Sequence, residues 1–202
     1  MRNGGESGFS LLELLVTVAL AAILLGIGVP SFLDTFRNNR MAAASNDLLA
    51  AVHLARSEAV KRRAPVTVCT SADPLAPACT AGSLNGWVVF ADDDGDGVAE
   101  ASDGNNVIDA NEDILNAHAP LDGGIQTLTT PAGASYVSFA GTGFPRTAGG
   151  NPAATVIRLC DERGNVNAGG GTSTARALQI SITGRPQVLR TVPDVTAAGD
   201  CP

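Results

Sequence analysis

Residues 9–29 form an apolar run of 21 residues in which Glu13 is the only charged side chain. A helix of about 20 apolar residues is long enough to span the hydrocarbon core of a bilayer. A cleaved secretory signal is the alternative, but its apolar region is shorter and ends in an A-x-A-like site. The run is longer than that, so the sequence predicts a membrane-spanning helix. Glu13 then lies where a charge is costly and usually functional.

The apolar run continues into a second helical pattern. Leu48, Val52, Ala55 and Ala59 recur at spacings of four, three and four residues, and residues 31–63 contain no Gly or Pro. This spacing is the helical period, and it produces one apolar stripe. The stripe predicts that the second half of the helix packs on a globular domain.

The remaining residues, 64–202, predict a β-rich head. Short runs of β-branched and aromatic residues alternate there with Gly, Pro and Asp, which is typical of strands separated by turns. The predicted strands are Val66–Thr70, Trp87–Ala91, Tyr136–Ala140, Thr155–Cys160, Ala177–Ile182 and Gln187–Thr191. A long helix followed by such strands predicts an α+β fold in which a small antiparallel sheet packs on the helix.

Charge is unevenly distributed along the chain. Residues 1–63 carry seven basic and five acidic side chains, whereas residues 64–202 carry six arginines and fifteen acidic side chains, a net charge of −9. An acidic head disfavours nucleic acid as the default partner. His53 and His118 are the only histidines, and neither belongs to a Cys-His or Ser-His signature. We therefore expect no enzymatic activity.

Four cysteines in a chain with an export-type beginning predict two disulfides formed in an oxidising compartment. Of the three connectivities, we favour Cys69–Cys79 and Cys160–Cys201. A zinc site is the alternative, but the sequence has no C-x-x-C pair with a histidine nearby.

The stretch Gly8-Phe9-Ser10-Leu11-Leu12-Glu13 resembles the type IV prepilin signature. The resemblance implies a leader of residues 1–8, which prepilin peptidase removes by cutting between Gly8 and Phe9. It also implies that Phe9 becomes the N-methylated first residue and that Glu13 becomes mature residue five. The leader departs from the usual basic pattern, since its charged residues are Arg2 and Glu6.

The same resemblance implies that Glu13 pairs with the N-terminal amine of the neighbouring subunit in an assembled filament. The pairing is physically reasonable, because two opposite charges in apolar surroundings offset each other's desolvation. The sequence leaves two alternatives to this pairing open. In the first, Glu13 is protonated in the bilayer. In the second, its carboxylate extends to the membrane interface, because Glu13 lies near the mature N-terminus.

A second resemblance, strongest over residues 8–90, is to the GspH/FimT family of type IV minor pilins and type II secretion pseudopilins. The matching stretches are Asn46–Leu49, Leu54–Arg62, Pro65–Cys69, Gly86–Phe90, Leu159–Gly164 and Ile180–Arg185. The resemblance implies a pilin-like fold with four parts. These are the leader 1–8, the transmembrane half 9–29, the amphipathic half 30–63 and the periplasmic head 64–202.

An acidic stretch after the second predicted strand resembles the start of a calcium loop, D-x-D-x-D-G. The candidate calcium ligands are Asp92, Asp94, Asp96, Glu100 and Asp103. The alternative is a solvated acidic hairpin between Trp87–Ala91 and Ile114–Leu115, because Asp and Gly favour turns.

The stretch Gly184-Arg185-Pro186-Gln187 invites a DNA-binding hypothesis, because some FimT-like proteins bind DNA through a Gly-Arg-x-Arg motif. Here the fourth position is Gln187, and the next basic residue is Arg190. The alternative is that Arg185 is a structural turn residue. With no basic patch in an acidic head, the structural alternative is favoured.

These observations predict a single-pass protein of the bacterial inner membrane with a periplasmic C-terminal domain. We expect a minor pilin of the priming or tip complex of a type IV pilus, supporting twitching motility or DNA uptake. The alternatives are a minor pseudopilin of a type II secretion system and a DNA receptor at the pilus tip. The expected partners are other pilins, prepilin peptidase and the membrane, and no cofactor is expected unless the acidic stretch binds calcium.

Overall fold

The computed structural model describes residues 8–93, 103–147 and 152–201 of the 202-residue chain. The chain divides into two compact units, Met1–Asn39 and Arg40–Pro202. We call the second one the globular unit. The helix α1, Leu11–Arg62, forms the helical part of the first unit and the beginning of the globular unit.

Over residues 11–27 of the first unit, α1 is apolar around its circumference apart from Glu13 and Thr17. Every side chain from residue 11 to residue 27 is exposed. Among the described residues, α1 is the one helix long and apolar enough to cross a membrane. An apolar surface of this extent marks contact with lipid or with other proteins.

In the globular unit, α1 buries a single stripe. Met41, Leu48, Val52, Ala55 and Ala59 are all 0% exposed, and they recur every three, four or seven residues. This confirms the stripe predicted from the helical period. The helix ends in basic residues, which suit the partial negative charge of a helix C-terminus.

Short antiparallel strands follow the helix and form two sheets. The strands are β1 Val66–Thr70, β2 Trp87–Ala91, β3 Ile114–His118, β4 Gln126–Thr130, β5 Tyr136–Phe139, β6 Pro145–Arg146, β7 Val156–Cys160, β8 Asn167–Gly169, β9 Thr172–Ile180 and β10 Pro186–Thr191. Sheet A has the order β3-β2-β1-β5-β6. Sheet B has the order β10-β9-β7-β4, and β8 pairs with β9.

One apolar core combines side chains from the buried stripe of α1 and from both sheets. Val68 and Phe139 of sheet A and Ile157 and Leu178 of sheet B belong to this core. Fully burying a side chain of this size contributes roughly 1.5–3 kcal/mol, so the core is the main source of stability. The expected α+β class is confirmed, with two small sheets on the helix.

A short C-terminal helix, α2 (Val192–Ala197), was not predicted. Its Pro193 suggests a helix breaker, but it lies in the first turn, where proline is tolerated. The Thr191 side chain caps the helix by accepting a hydrogen bond from the Asp194 N–H. Val195 packs on the outer face of sheet B. Strands β4, β6 and β8 were also missed, whereas the six predicted strands match β1, β2, β5, β7, β9 and β10 with shifted ends. Strand β3 begins with Ile114–Leu115, which was named as one side of the acidic hairpin.

Candidate assembly site

The predicted processing site lies just before α1. Gly8 and Phe9 are exposed and non-helical, and Phe9 is 75% exposed. A Cβ added at Gly8 would meet no atom within 4 Å, so packing within the chain does not require glycine there. The Gly8–Phe9 bond therefore lies in an accessible, non-helical segment of the kind that proteases cleave.

Glu13 lies in the first turn of α1, where a carboxylate interacts favourably with the helix dipole. Its neighbours are exposed apolar side chains, and among the described residues it forms no ion pair. The nearby Thr17 hydroxyl, by contrast, donates to the Leu14 carbonyl at 2.9 Å. Glu13, the one charged residue of 9–29, therefore has no ion-pair partner among the described residues.

A shallow apolar groove runs along the face of α1 opposite to Glu13. It is lined by Leu11, Leu14, Leu15, Val18, Ala19 and Ala22. The two alanines leave space that larger side chains would fill. Small residues at such positions let a second apolar helix approach closely within a membrane.

The structure contains the disulfides Cys69–Cys79 and Cys160–Cys201, the pairing that we favoured. Their Cα–Cα distances of 5.4 and 5.8 Å are normal for disulfides. The first attaches the β1–β2 connection to sheet A. The second attaches the residues after α2 to the end of β7, so both cross-links lie in the globular unit.

The β2–β3 pairing joins the two stretches named for the acidic hairpin, but Asp92 itself is fully buried and not solvated. Its carboxylate accepts a hydrogen bond from the Thr67 hydroxyl at 2.7 Å and bonds from the Asn106 N–H at 3.1 and 3.2 Å. Burial raises the pKa of Asp92 to about 6, whereas Thr67, Asn106 and the charge of Arg146 oppose that rise. Asp92 therefore holds the connection between β2 and β3 against sheet A.

Glu112 belongs to the same connection. Its Oε2 accepts a hydrogen bond from the Asp109 N–H at 2.8 Å. Burial, together with the charges of Asp92, Asp109 and Asp103, raises the pKa of Glu112 to about 7. The carboxylates of this connection thus repel one another in partly desolvated surroundings.

Two family models match the chain. The model described as Type II transport protein GspH matches residues 44–184, and that of the prokaryotic N-terminal methylation motif matches residues 4–29. The chain belongs to the GspH family. The methylation motif and the apolar helix together indicate a membrane-anchored pilin or pseudopilin, a structural component of a filament.

Two solved structures similar to this GspH-family protein are crystal structures of the type IV minor pilin FimU from Pseudomonas aeruginosa strain PAO1. The one in space group P21 is 20% identical, has a TM-score of 0.47 and is matched over 75% of this chain and 89% of its own. The one in space group P65 is 19% identical, has a TM-score of 0.45 and is matched over 73% and 91%. No curated protein matches the chain.

The calcium hypothesis for this GspH-family protein falls largely on residues that the structure does not describe. Asp94, Asp96 and Glu100 lie outside the described residues. Within residues 8–93, 103–147 and 152–201, no three His, Cys, Asp or Glu side chains form a metal-ligand group. Asp92 already accepts hydrogen bonds from protein groups through its carboxylate. Gly104, the residue after Asp103, donates its N–H to the Asp92 carbonyl at 2.6 Å.

Arg185 and Arg190, the candidate DNA contacts, are both exposed. In the part of the chain that the structure describes, neither forms an ion pair. Gln187, at the motif's second arginine position, donates to the Gln179 side chain across β9 and β10 at 2.8 Å. Gln187 therefore stabilises sheet B, and DNA contact through Arg185 and Arg190 stays a prediction.

Arg56 is a positioning residue that the sequence analysis missed. Its Nε donates to the Gly143 carbonyl and its Nη2 to the Thr183 carbonyl, both at 3.1 Å. These bonds join α1 to the β5–β6 and β9–β10 turns. Nothing in the local sequence indicates them, since the two acceptors are backbone groups 87 and 127 residues away.

Proposed function

We propose that this protein is a minor pilin that joins the priming or tip complex of a type IV pilus. In this proposal, residues 9–29 anchor it in the bacterial inner membrane, and its C-terminal domain lies in the periplasm. The observation that carries the proposal is Glu13, a carboxylate with no ion pair among the described residues, which lies on an exposed apolar helix four residues after Phe9. Through the pilus, the protein supports twitching motility or DNA uptake.

In this proposal, prepilin peptidase cuts between Gly8 and Phe9 and creates a positively charged amine at Phe9. Packing does not explain the glycine at position 8, and this supports the view that the peptidase recognises Gly8. The new amine of one subunit then pairs with Glu13 of its neighbour. Each charge alone is costly in apolar surroundings, and pairing offsets that cost, so the pair favours docking in one register.

Mass spectrometry of the protein isolated from its native host tests the processing step. We expect a chain that begins at N-methylated Phe9 and retains both disulfides. A chain that still begins at Met1 would contradict the proposal. The protein is thus the substrate of a peptidase and itself a structural subunit.

A minor pseudopilin of a type II secretion system is the second candidate, because the matching family model is described as a type II transport protein. A deletion strain separates the two. Loss of twitching or transformation with normal protein secretion supports the pilus. Loss of secretion with normal pili supports the pseudopilus.

A further inference from the structure

A cleft with a volume of about 580 Å³ opens between the two sheets of the globular unit. Its walls come from β5 and β6 of sheet A and from the end of β9 in sheet B. Val137, Pro145, Ala154 and Ile180 make much of the lining apolar. Among the described strands, β6 is the last strand of sheet A and has one neighbour, so the cleft lies at a sheet edge.

Exposed apolar side chains lie at the cleft and on the turns beside it. Ile182, which lines the cleft, is 91% exposed, and Phe144, which precedes the lining residue Pro145, is 54% exposed. Val60 of α1 is 50% exposed and lies beside Gly143 of the β5–β6 turn. Exposed apolar side chains on neighbouring turns are of the kind that marks an interaction surface.

The turns that carry these side chains are held in place. Arg56 donates hydrogen bonds to both turns, as described above. Gly143 and Gly184 have φ angles of +79° and +77°, and a Cβ at Gly184 would lie 2.3 Å from the Gly143 carbonyl oxygen. The two turns therefore touch each other, and the exposed side chains are preorganised for binding.

The charge at the cleft differs from that of the head as a whole. Arg146 lines the cleft, Arg185 follows the β9–β10 turn and Arg56 lies beneath both turns. The Arg146 side chain lies 3.9 Å from a carboxylate oxygen of Asp92, whereas Arg56 and Arg185 form no ion pair within the described residues. Residues 64–202 carry a net charge of −9, so Arg185 places a positive charge beside the β9–β10 turn on an otherwise acidic head.

We propose that the cleft binds an extended segment on the head of a neighbouring pilin of another kind, with an apolar side chain next to a carboxylate. The apolar side chain enters between Phe144 and Ile182, and the carboxylate pairs with Arg185. The proposal rests on the proposed function, because a filament supplies the neighbouring head. A protein segment fits better than nucleic acid, since the lining is apolar and the net charge of the head repels phosphates.

Site-specific photocrosslinking in the native host, with the full chain, tests the proposal. p-Benzoylphenylalanine is placed at Ile182 or, as the matched control, at Leu75, which is 93% exposed in the β1–β2 connection. Neither change affects the core. We expect Ile182 to crosslink to a protein that mass spectrometry identifies as having a cleaved prepilin N-terminus, with little crosslinking from Leu75. Equal yields from both positions, or nuclease-sensitive crosslinks to DNA at Ile182, would overturn the proposal.

Charge variants test the predicted ion pair in the same crosslinking strains. Arg185→Glu is expected to lower the yield from Ile182 by about tenfold, because a like charge then faces the partner's carboxylate. Arg190→Glu, an equal charge change on β10, is expected to leave the yield within about twofold. Equal losses from both variants would argue against a contact specific to Arg185.

The amount of the protein in sheared filaments, measured in the same strains, separates failure of this proposal from failure of the proposed function. Absence of the wild-type chain from filaments contradicts the proposed function. Presence in filaments without a pilin crosslink at Ile182 contradicts only the proposal for the cleft.

Discussion

The two halves of α1 share one backbone conformation and have opposite surroundings. Residues 11–27 expose every side chain, whereas the stripe from Met41 to Ala59 is buried in the core of the globular unit. Apolar side chains stabilise a fold only where the chain supplies their partners. The first half therefore contributes little to folding, and its apolar surface is available for lipid and for other subunits.

The largest expected contrast comes from the same substitution in each half. Leu48→Ala should lower the free energy of unfolding by about 4 kcal/mol, because a fully buried side chain between α1 and the sheets leaves a cavity. Leu24→Ala, at a side chain 72% exposed, should change it by less than about 0.5 kcal/mol. Denaturant unfolding of the protein in detergent, followed by the fluorescence of buried Trp87, measures both. Similar losses of unfolding free energy from both variants would show that the two halves of α1 do not differ in their contribution to folding.

Both disulfides lie in the globular unit, so their removal should affect that unit alone. Replacing Cys160 and Cys201 by alanine should cost about 3 kcal/mol. Replacing Cys69 and Cys79 should lower the free energy of unfolding by about 1 kcal/mol less, because this disulfide joins residues 10 apart in sequence instead of 41. Thermal unfolding measures the losses, and membrane fractionation should show unchanged insertion. Loss of insertion would contradict the separation of the two units.

An arginine-to-lysine exchange gives a smaller contrast. Arg56→Lys should cost about 2 kcal/mol, because a lysine cannot donate to the Gly143 and Thr183 carbonyls in the same fork geometry. Arg37→Lys, in the first unit, should cost less than about 0.5 kcal/mol, because its pair with Asp34 is exposed. If Arg56→Lys unfolded at the same denaturant concentration as the wild type, the turns would not depend on this contact.

The smallest effect concerns Asp92 and pH. Burial raises the pKa of Asp92 above that of an unfolded chain, so the folded state binds a proton more tightly between about pH 4 and pH 6. The stabilisation from this proton is complete below the unfolded pKa and is lost as the pH rises through about 6. Between pH 5 and pH 7.5 the loss should be about 1 kcal/mol.

Asp92→Asn should remove this part of the pH dependence, whereas Asp122→Asn, at an exposed carboxylate, should leave it unchanged. The measurement is the melting temperature of each variant at both pH values. An unchanged slope in Asp92→Asn would show that Asp92 does not titrate in this range.

Much of the fold could be predicted where one physical signal dominates a segment. The apolar run and the stripe from Leu48 to Ala59 indicate their roles by length and period, and the β-branched run of β1 indicates a buried strand. Strand β4 was missed because its buried positions are Thr127 and Thr129, which have no apolar pattern.

The surroundings of the functional residues were harder to predict. Asp92 has the sequence of an acidic turn, yet its partners Thr67 and Asn106 lie 25 and 14 residues away. The contacts of Arg56 are more distant still. Such long-range hydrogen bonds to hydroxyl and backbone groups carry no local pattern, so the structure is needed to find them.

The proposed pairing of Glu13 with the amine of an adjoining subunit is tested by comparing filaments built with and without this carboxylate. The amount of processed protein in sheared filaments is measured for wild type, Glu13→Ala and the control Thr17→Ala, with the membrane pool quantified in each strain. We expect the amount of Glu13→Ala in filaments to fall by at least about tenfold, because the amine loses its partner in apolar surroundings. We expect normal incorporation for Thr17→Ala and equal processed pools in all three strains. Incorporation of Glu13→Ala at the wild-type level would show that Glu13 is not the partner of the amine.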